Sequence, residues 1–510
     1  MTPPCPSVRA WSSFLMLATF ATSIACGRPA TLPNRHLLIV VDGLRPDYVT
    51  AEVMPALTAL GQRGAVFTRH HSVYPTVTRV NASSISTGSY PDTHGLLGNT
   101  VFFPKVDPAA FLDTSDRSAL MRMASTEGRL LTAPTMGELL QPAGRRMLVV
   151  SSGSGGSAFL NNHTVAGGAI LHYAYTLPES LGDDMKRLGA PPAEGEATAL
   201  DRYAVDAFLQ VGIPRVDPWV TVVWLGALDS TAHEEGIGAP PTVDVLRHVD
   251  GEIERIENGL RVAGLLDHYN IWVTSDHGFS TYTGGIDLSA ALMPFSGTLP
   301  DGTPRIVSGG GAIYVRDGDE TAVAGIVAAL QRTAGVGAIF TRAAQPGSFD
   351  GSVPGTLSFD AVHWDHERSA QILFSPDWTD EPNAFGAPGS SASRGTAGHG
   401  SSSPWDVHNT LIAAGPDVKQ GVRIESPSAN VDFAPTFLGL LGIAAPPTMQ
   451  GRPLTEALAV GSALDAGAVQ SRTHTASAPE VGYEVTATFS TVSVGGRDYR
   501  YFDSAKATRK

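Results

Sequence analysis

Cysteine is nearly absent. The 510 residues contain two, Cys5 and Cys26. Both lie in an N-terminal stretch that reads as a leader, so the chain left after processing carries at most one thiol and no internal disulfide. Lysine is scarce too, and the net charge is −14. That balance argues against wide nucleic-acid binding by charge, and no nucleic-acid polymer is expected as a partner. It leaves open a local cationic site made by metal ions. No internal repeat is present, and no second hydrophobic span follows the leader, so the body is expected to be soluble. Glycine and proline are plentiful, at 55 and 36 residues, as in a loop-rich globular protein.

Arg9 precedes an apolar run from Trp11 to Ile24. The run is too short to span a bilayer and suits a signal-peptide core. Ala25-Cys26-Gly27 then resembles a bacterial lipoprotein processing site, with Cys26 as the acylated first residue. Ser23 stands where that motif usually has a branched apolar residue, and ordinary cleavage nearby is the alternative. Residues 1–26 are therefore expected to be a signal peptide. The protein is expected in a bacterial periplasm or anchored to the outer membrane as a lipoprotein.

The body alternates strands and helices. Leu37–Val41 is a continuous apolar run, as in a buried parallel strand. Ala65–Phe67, Met147–Ser151, Trp219–Trp224, Asn270–Thr274 and Leu411–Ala414 read as further strands. Thr242 opens a long helix with Leu246, Val249, Ile253, Ile256 and Leu260 at helical spacing. This order predicts an α/β fold with a mostly parallel sheet and helices on both faces. The main domain spans 36–460, with a small α+β insertion over about 295–398. Asn383–Gly400, rich in Gly, Ser and Ala, reads as a mobile loop. Residues 461–479 read as a low-complexity joint, and 480–510 as a β-hairpin turning at Gly495-Gly496.

The stretch Tyr74–Asn99 organises the rest. Pro75 and the residues after it suit an extended lead-in, and Gly88 suits a helix stop. Thr78 then sits at or just before the first turn of a short helix. Free backbone N–H groups and the positive end of the helix dipole gather there, which suits a phosphate. A plain threonine N-cap is the alternative. The small residues Ala82, Ser83, Ser84 and Ser86 suit a helix lying close against a sheet.

Acidic and histidine residues cluster at strand ends. Asp42 ends the first strand. Asp229 and His233 follow another at i, i+4, so one helical turn aims both at one ion. Asp276-His277 ends a third, before Gly278. His399 lies in Gly398-His399-Gly400. The carboxyl ends of parallel strands form the ligand crevice of open sheets. Imidazole and carboxylate without thiolate suit catalytic zinc. Singly these are weak: Asp42-Gly43 is often a turn, Asp229 a cap and His233 a surface residue. Three strands and a loop delivering such residues to one edge form a much rarer pattern.

This ordered set resembles the alkaline phosphatase superfamily. The residues are Val41-Asp42-Gly43, Thr78-x-x-Asn81, Tyr90-Pro91-x-x-His94-Gly95 with Asn99, Asp229-x-x-x-His233, Ser275-Asp276-His277-Gly278 and Gly398-His399-Gly400. Within the superfamily the set is most similar to the type I phosphodiesterase/nucleotide pyrophosphatase family. Val431-Asp432-Phe433-Ala434-Pro435-Thr436 is similar to that superfamily's C-terminal core, and the resemblance runs from Leu37 to Leu454.

The resemblance implies two zinc ions and a small phosphate-ester substrate. Asp229, His233 and His399 are implied to hold one zinc. Asp42, Asp276, His277 and the Thr78 oxygen are implied to hold the other, which activates Thr78 for attack and a phosphothreonine intermediate. Asn99 and the Arg79 backbone N–H are implied to bind phosphoryl oxygens. Asn81 is expected to brace the helix start. His94, His163, His363 and His366 have no assigned role, and His408 is a candidate brace for a ligand.

Nucleotide-cleaving relatives usually carry an aromatic residue after the nucleophile, where this chain has Arg79. That favours a substrate with an extra anionic group, or a structural ion pair. Gly153–Tyr175 holds no Lys/Arg pair of the kind that grips a monoester, which favours diesters. A formylglycine motif is missing at the nucleophile, against a sulfatase. The expected protein is thus a two-zinc phosphodiesterase. A phosphomonoesterase, a phosphonate hydrolase gripping a carboxylate through Arg79, and a non-enzymatic envelope binding protein are the rivals.

Overall fold

In a computed structural model, the described residues are 1–2, 33–465 and 467–510. The expected signal peptide and the acylation site at Cys26 lie outside them. Residues 34–510 form one compact unit. Among the described residues no helix is long and apolar enough to cross a membrane.

Leu37–Val41 has no solvent exposure at any position. Such a run is stable only with both faces covered, which is the setting of a central parallel strand. It pairs in parallel with Val220–Leu225 on one side and Tyr269–Thr274 on the other. The ten-stranded sheet runs Val422–Ile424, Ala65–His71, His408–Ala414, Tyr269–Thr274, Arg35–Val41, Val220–Leu225, Met147–Ser151, Ala169–His172, Tyr175–Leu177, with Ser428–Ala429 beside Ala65–His71. Two strands run against the rest. Tyr175–Leu177 is an edge, and His408–Ala414 is antiparallel to both its neighbours. The strand expected at Leu411–Ala414 is therefore present but reversed.

The long helix Pro240–Val262 turns Leu246, Val249, Ile253, Ile256 and Leu260 onto the sheet, all fully buried. The helix Thr78–Thr87 ends at Gly88, whose φ of +63° is the left-handed geometry glycine tolerates best. Its small residues admit close approach of the Gly155–Asn161 helix, and Ser86 Oγ donates to the Leu160 carbonyl at 3.2 Å. The tight neighbour is thus a helix, where a sheet was expected.

The insertion folds as a five-stranded sheet around Val336–Thr341, with the Glu320–Arg332 helix packed on it. The stretch expected as a mobile loop is instead partly paired. Ser390–Ser391 and Ala397–Gly398 flank Ser280–Tyr282 in a small sheet. The C-terminal hairpin joins Tyr483–Val494 to Arg497–Arg509 through Gly495-Gly496, both at positive φ. Its third strand, Val469–Ala478, arises where a low-complexity joint was expected. Small and threonine residues there read as a linker by composition, yet they alternate, and cross-strand pairing rewards that alternation.

Candidate metal centre

Four chain segments reach one edge of the central sheet. Asp42 follows Val41 at a strand's carboxyl end, and Asp276 and His277 follow Thr274 at another. Asp229 and His233 lie on the Ala227–Glu235 helix after the Val220–Leu225 strand. His399 precedes His408–Ala414. Because that strand is reversed, its amino end lies at the edge where its neighbours end, so its ligand comes before the strand. Gly278 permits the Asp276-His277 turn for a steric reason: a Cβ there would stand 2.0 Å from the Trp405 carbonyl oxygen.

The residues fall into two groups able to hold an ion. One is Asp229, His233 and His399, and the other is Asp42, Asp276 and His277. His233 Nε2 lies 3.3 Å and His399 Nε2 3.5 Å from Asp229 Oδ1. His277 Nε2 lies 3.3 Å from Asp42 Oδ1 and 3.1 Å from Asp276 Oδ2. Thr78 Oγ is 3.2 Å from His277 Nε2.

The proton positions make this arrangement informative. His233 Nδ1 faces the Ala397 carbonyl at 2.8 Å, His399 Nδ1 the Thr76 carbonyl at 2.9 Å, and His277 Nδ1 the Gly278 carbonyl at 3.0 Å. A carbonyl only accepts, so each ring carries a proton on Nδ1 and turns Nε2 toward carboxylate oxygen. Asp42 Oδ1, Asp276 Oδ2 and Asp229 Oδ1 are buried without a hydrogen-bond partner. Ring nitrogens facing unpaired anionic oxygens in a buried site are stable only with cations between them. The donor set fits zinc, and the backbone carbonyls are the orienting partners such ligands require.

Burial, with Asp276 and Asp229 close by, pushes Asp42 well above the ordinary carboxylate value, and Asp276 is raised by burial and Asp229. Burial acts to raise Asp229 as well, but His233, His399 and His277 hold it below its usual range. Burial and the His277 ring keep His399 neutral. Burial acts to lower His233, but Asp229 raises it, so in the metal-free chain a proton can stand where an ion would.

A prediction follows for the metal-free protein. The folded state binds a proton on Asp42 more tightly than the unfolded chain does. That stability is complete below the ordinary value of 3.8 and is lost as pH rises through the raised value. With chelator present, Asp42→Asn is expected to gain melting temperature over the natural chain as pH rises from the ordinary carboxylate range to neutrality. A difference constant with pH contradicts the repulsion.

Thr78 is the first residue of its helix. Val77 is the N-cap, and no side chain caps the turn. The cap reading of Thr78 is therefore ruled out, and its hydroxyl is left beside the ligands. Asn99 Oδ1 accepts the Arg79 backbone N–H at 3.0 Å. That N–H, expected to meet substrate directly, instead orients the Asn99 amide, whose NH2 has no partner among the described residues. Asn81 bridges backbone: its Oδ1 accepts from Val73 N at 2.7 Å, and its Nδ2 donates to the Val73 and Val77 carbonyls. The Arg79 guanidinium reaches Asp113 only at 3.8 Å, and its Nε is buried without a partner.

The other histidines differ. His94 is a core residue bonded to Ser84 Oγ. His363 stacks on Tyr90 and meets Asp92, and His366 meets Thr132. His163 is packed edge-on against Phe159. His408 lies beside His71 and Asp503 and braces no ligand of these two groups.

Sequence reasoning missed three supports. Trp224 Nε1 donates to Asp42 Oδ2 at 2.9 Å, from a strand position paired with Val40. Thr76 holds the His399 loop through both its carbonyl and its hydroxyl. Asn430 donates to the Asp276 carbonyl and to Asn81. An indole on the strand beside Asp42 was a readable signal; the other two are set by chain segments far apart in sequence.

The sheet and the centre at its edge define an alkaline-phosphatase-like α/β protein. The model of the type I phosphodiesterase/nucleotide pyrophosphatase family matches residues 36–379, and the chain belongs to that family. It is 25% identical over 245 residues to ectonucleotide pyrophosphatase/phosphodiesterase family member 1 of Homo sapiens, covering 48% of this chain and 23% of that protein. It is 24% identical over 266 residues to venom phosphodiesterase of Macrovipera lebetinus, covering 51% and 27%. It is 23% identical over 293 residues to bis(5'-adenosyl)-triphosphatase ENPP4 of Bos taurus, covering 57% and 58%. The chain thus spans about a quarter of the first two relatives. The fold is similar to that of murine ectonucleotide pyrophosphatase/phosphodiesterase 5, with a TM-score of 0.57, 17% identity, and coverage of 83% of this chain and 100% of that one.

Proposed function

We propose that this chain hydrolyses small phosphodiesters through a covalent intermediate on Thr78. Asp229, His233 and His399 hold one zinc ion, and Asp42, Asp276 and His277 with the Thr78 oxygen hold the other. Bound there, the two ions supply Lewis acidity to the attacking and departing oxygens. The observation that carries the reading is the set of partnerless carboxylate oxygens facing histidine Nε2 atoms, next to the Thr78 hydroxyl.

The chain's own residues then divide the work. Thr78 Oγ attacks phosphorus and the ester oxygen departs; water later cleaves the phosphothreonine and restores the hydroxyl. The Asn99 amide, oriented by the Arg79 backbone N–H, donates to a non-bridging oxygen. A cavity of about 640 Å³ lined by Val77, Asn99, Leu288, Phe374, Arg394 and His399, among others, has room for the substrate's remaining ester group. The leader points to an exported enzyme, periplasmic or lipid-anchored at Cys26.

A second reading has its own support. The Arg79 guanidinium is buried on one side and loosely paired on the other, so it could grip an anionic group carried by the substrate, as in a phosphonate bearing a carboxylate. A panel of aryl diester, aryl monoester, nucleotide and carboxylated phosphonate tests both, with zinc-loaded and chelated protein. The expected order puts the aryl diester first, with turnover lost on chelation. Faster monoester turnover, or no turnover of any substrate with zinc, overturns the proposal. Selective loss of the phosphonate on Arg79→Ala supports the second reading.

Asn99→Ala is expected to lower kcat by about 10²–10³-fold, the usual cost of losing one oxyanion donor. KM should change much less. A purely structural Asn99 predicts instead a lowered melting temperature with kcat nearly intact.

A further inference from the structure

We propose that His71, His408 and Asp503 hold a third divalent transition-metal ion, which bolts the C-terminal sheet to the central one. Their ligand atoms all lie within 4.8 Å of one another. His71 and Asp503 are buried, and His408 is half-buried.

This third site rests on the metal reading of the catalytic centre. His71 Nδ1 meets the Ser428 carbonyl at 2.9 Å. The carbonyl only accepts, so Nδ1 carries a proton, and Nε2 stands 2.7 Å from Asp503 Oδ1 with either a second proton or an ion between them. His233, His277 and His399 share the arrangement of backbone carbonyl behind and aspartate oxygen in front, at the wider spacing of 3.1–3.5 Å and with oxygens that have no other partner. Among the described residues no other histidine does.

The carboxylate is also held in place. Ser490 Oγ donates to Asp503 at 2.8 Å. Arg69 Nη2 is the other nearby charge, at 4.0 Å from Oδ1 and partly exposed. The His408 ring lies beside His71 with centroids 4.6 Å apart, and adds a second imidazole to the cluster. Two imidazoles and a carboxylate without thiolate suit zinc, cobalt or nickel, with water completing the shell on the half-buried side.

The position gives such an ion a task. Asp503 belongs to the Arg497–Arg509 strand of the terminal sheet. His71 ends the strand that leads into Thr78, and His408 begins the strand that follows His399. One ion would tie the terminal sheet to both segments that feed the catalytic edge. The rival occupant is a proton, giving a His71 imidazolium paired with Asp503.

Zinc content of the full chain after equilibrium dialysis separates these. A background variant carrying Asp42→Asn, Asp229→Asn and Asp276→Asn empties the catalytic centre. We expect three zinc ions in the natural chain, one in the background variant, and none once His408→Ala or Asp503→Asn is added. Chelator should lower the melting temperature of the background variant but leave its His408→Ala derivative unmoved. A background variant that binds no zinc overturns the proposal in favour of the proton, as does binding that survives both added substitutions. One zinc in both the natural chain and the background variant would sink the two-zinc catalytic reading and leave this site standing. His408 is the half-buried member, so His408→Ala keeps the test open if Asp503→Asn fails to fold.

Discussion

Thr78→Ala is expected to lower kcat on an aryl phosphodiester by about 10⁴-fold or more, the range seen when a covalent nucleophile is deleted. The substitution removes one hydroxyl and leaves the helix start intact, because Val77 is the N-cap and Thr78 caps nothing. Folding should therefore be nearly unchanged, and the Asp and His ligands should still retain zinc. Thr78→Ser keeps the hydroxyl and should recover a large part of the rate. Rapid quenching of the natural chain with substrate should trap phosphate on Thr78. Turnover by the alanine variant within tenfold of the natural rate would end the reading of Thr78 as the covalent nucleophile.

Removing the metal should cost both activity and stability. Chelated protein is expected to lose turnover entirely and to recover it on zinc addition. Each ion bound to the folded chain at about 1,000 times its Kd adds about 4 kcal/mol to stability. Two such ions account for a melting-temperature rise of many degrees over the chelated chain. The chelated chain keeps Asp42, Asp276 and Asp229 close together, and Asp42 is driven toward its neutral form by burial and by the other two. His233→Ala should remove one ion only, since the other group contains none of its atoms. Coincident thermal curves with and without zinc would show that the two groups do not bind it.

The ligand residues were legible because the chemistry needs rare residue types at fixed places. Asp42 and Asp276-His277 stand directly after buried apolar runs, where a polar residue has little structural reason to be. Asp229 and His233 share a helical face. Other features were hidden in ordinary composition. The strand at His408–Ala414 looks like any buried strand, and nothing local reveals its direction. Arg79 was readable as a charge beside the nucleophile, but its N–H bond to Asn99 and its side chain's loose contact with Asp113 depend on segments twenty and thirty-four residues away. His408 carried no local sign of its neighbours, because His71 and Asp503 come from strands far apart in the chain.

The order of residues alone determined the alternating α/β plan and put Asp and His residues at strand ends with a hydroxyl at a helix start, because period, burial and residue chemistry are local properties; the division of those residues into two groups was implied by the family resemblance. Tertiary structure alone decided that His233, His277 and His399 each turn Nε2 toward a carboxylate, that Asn99 takes the Arg79 N–H, and that a third cluster, of His71, His408 and Asp503, forms at the terminal sheet. Those facts depend on which backbone carbonyl or carboxylate arrives from a distant segment, and only the packed chain fixes that meeting.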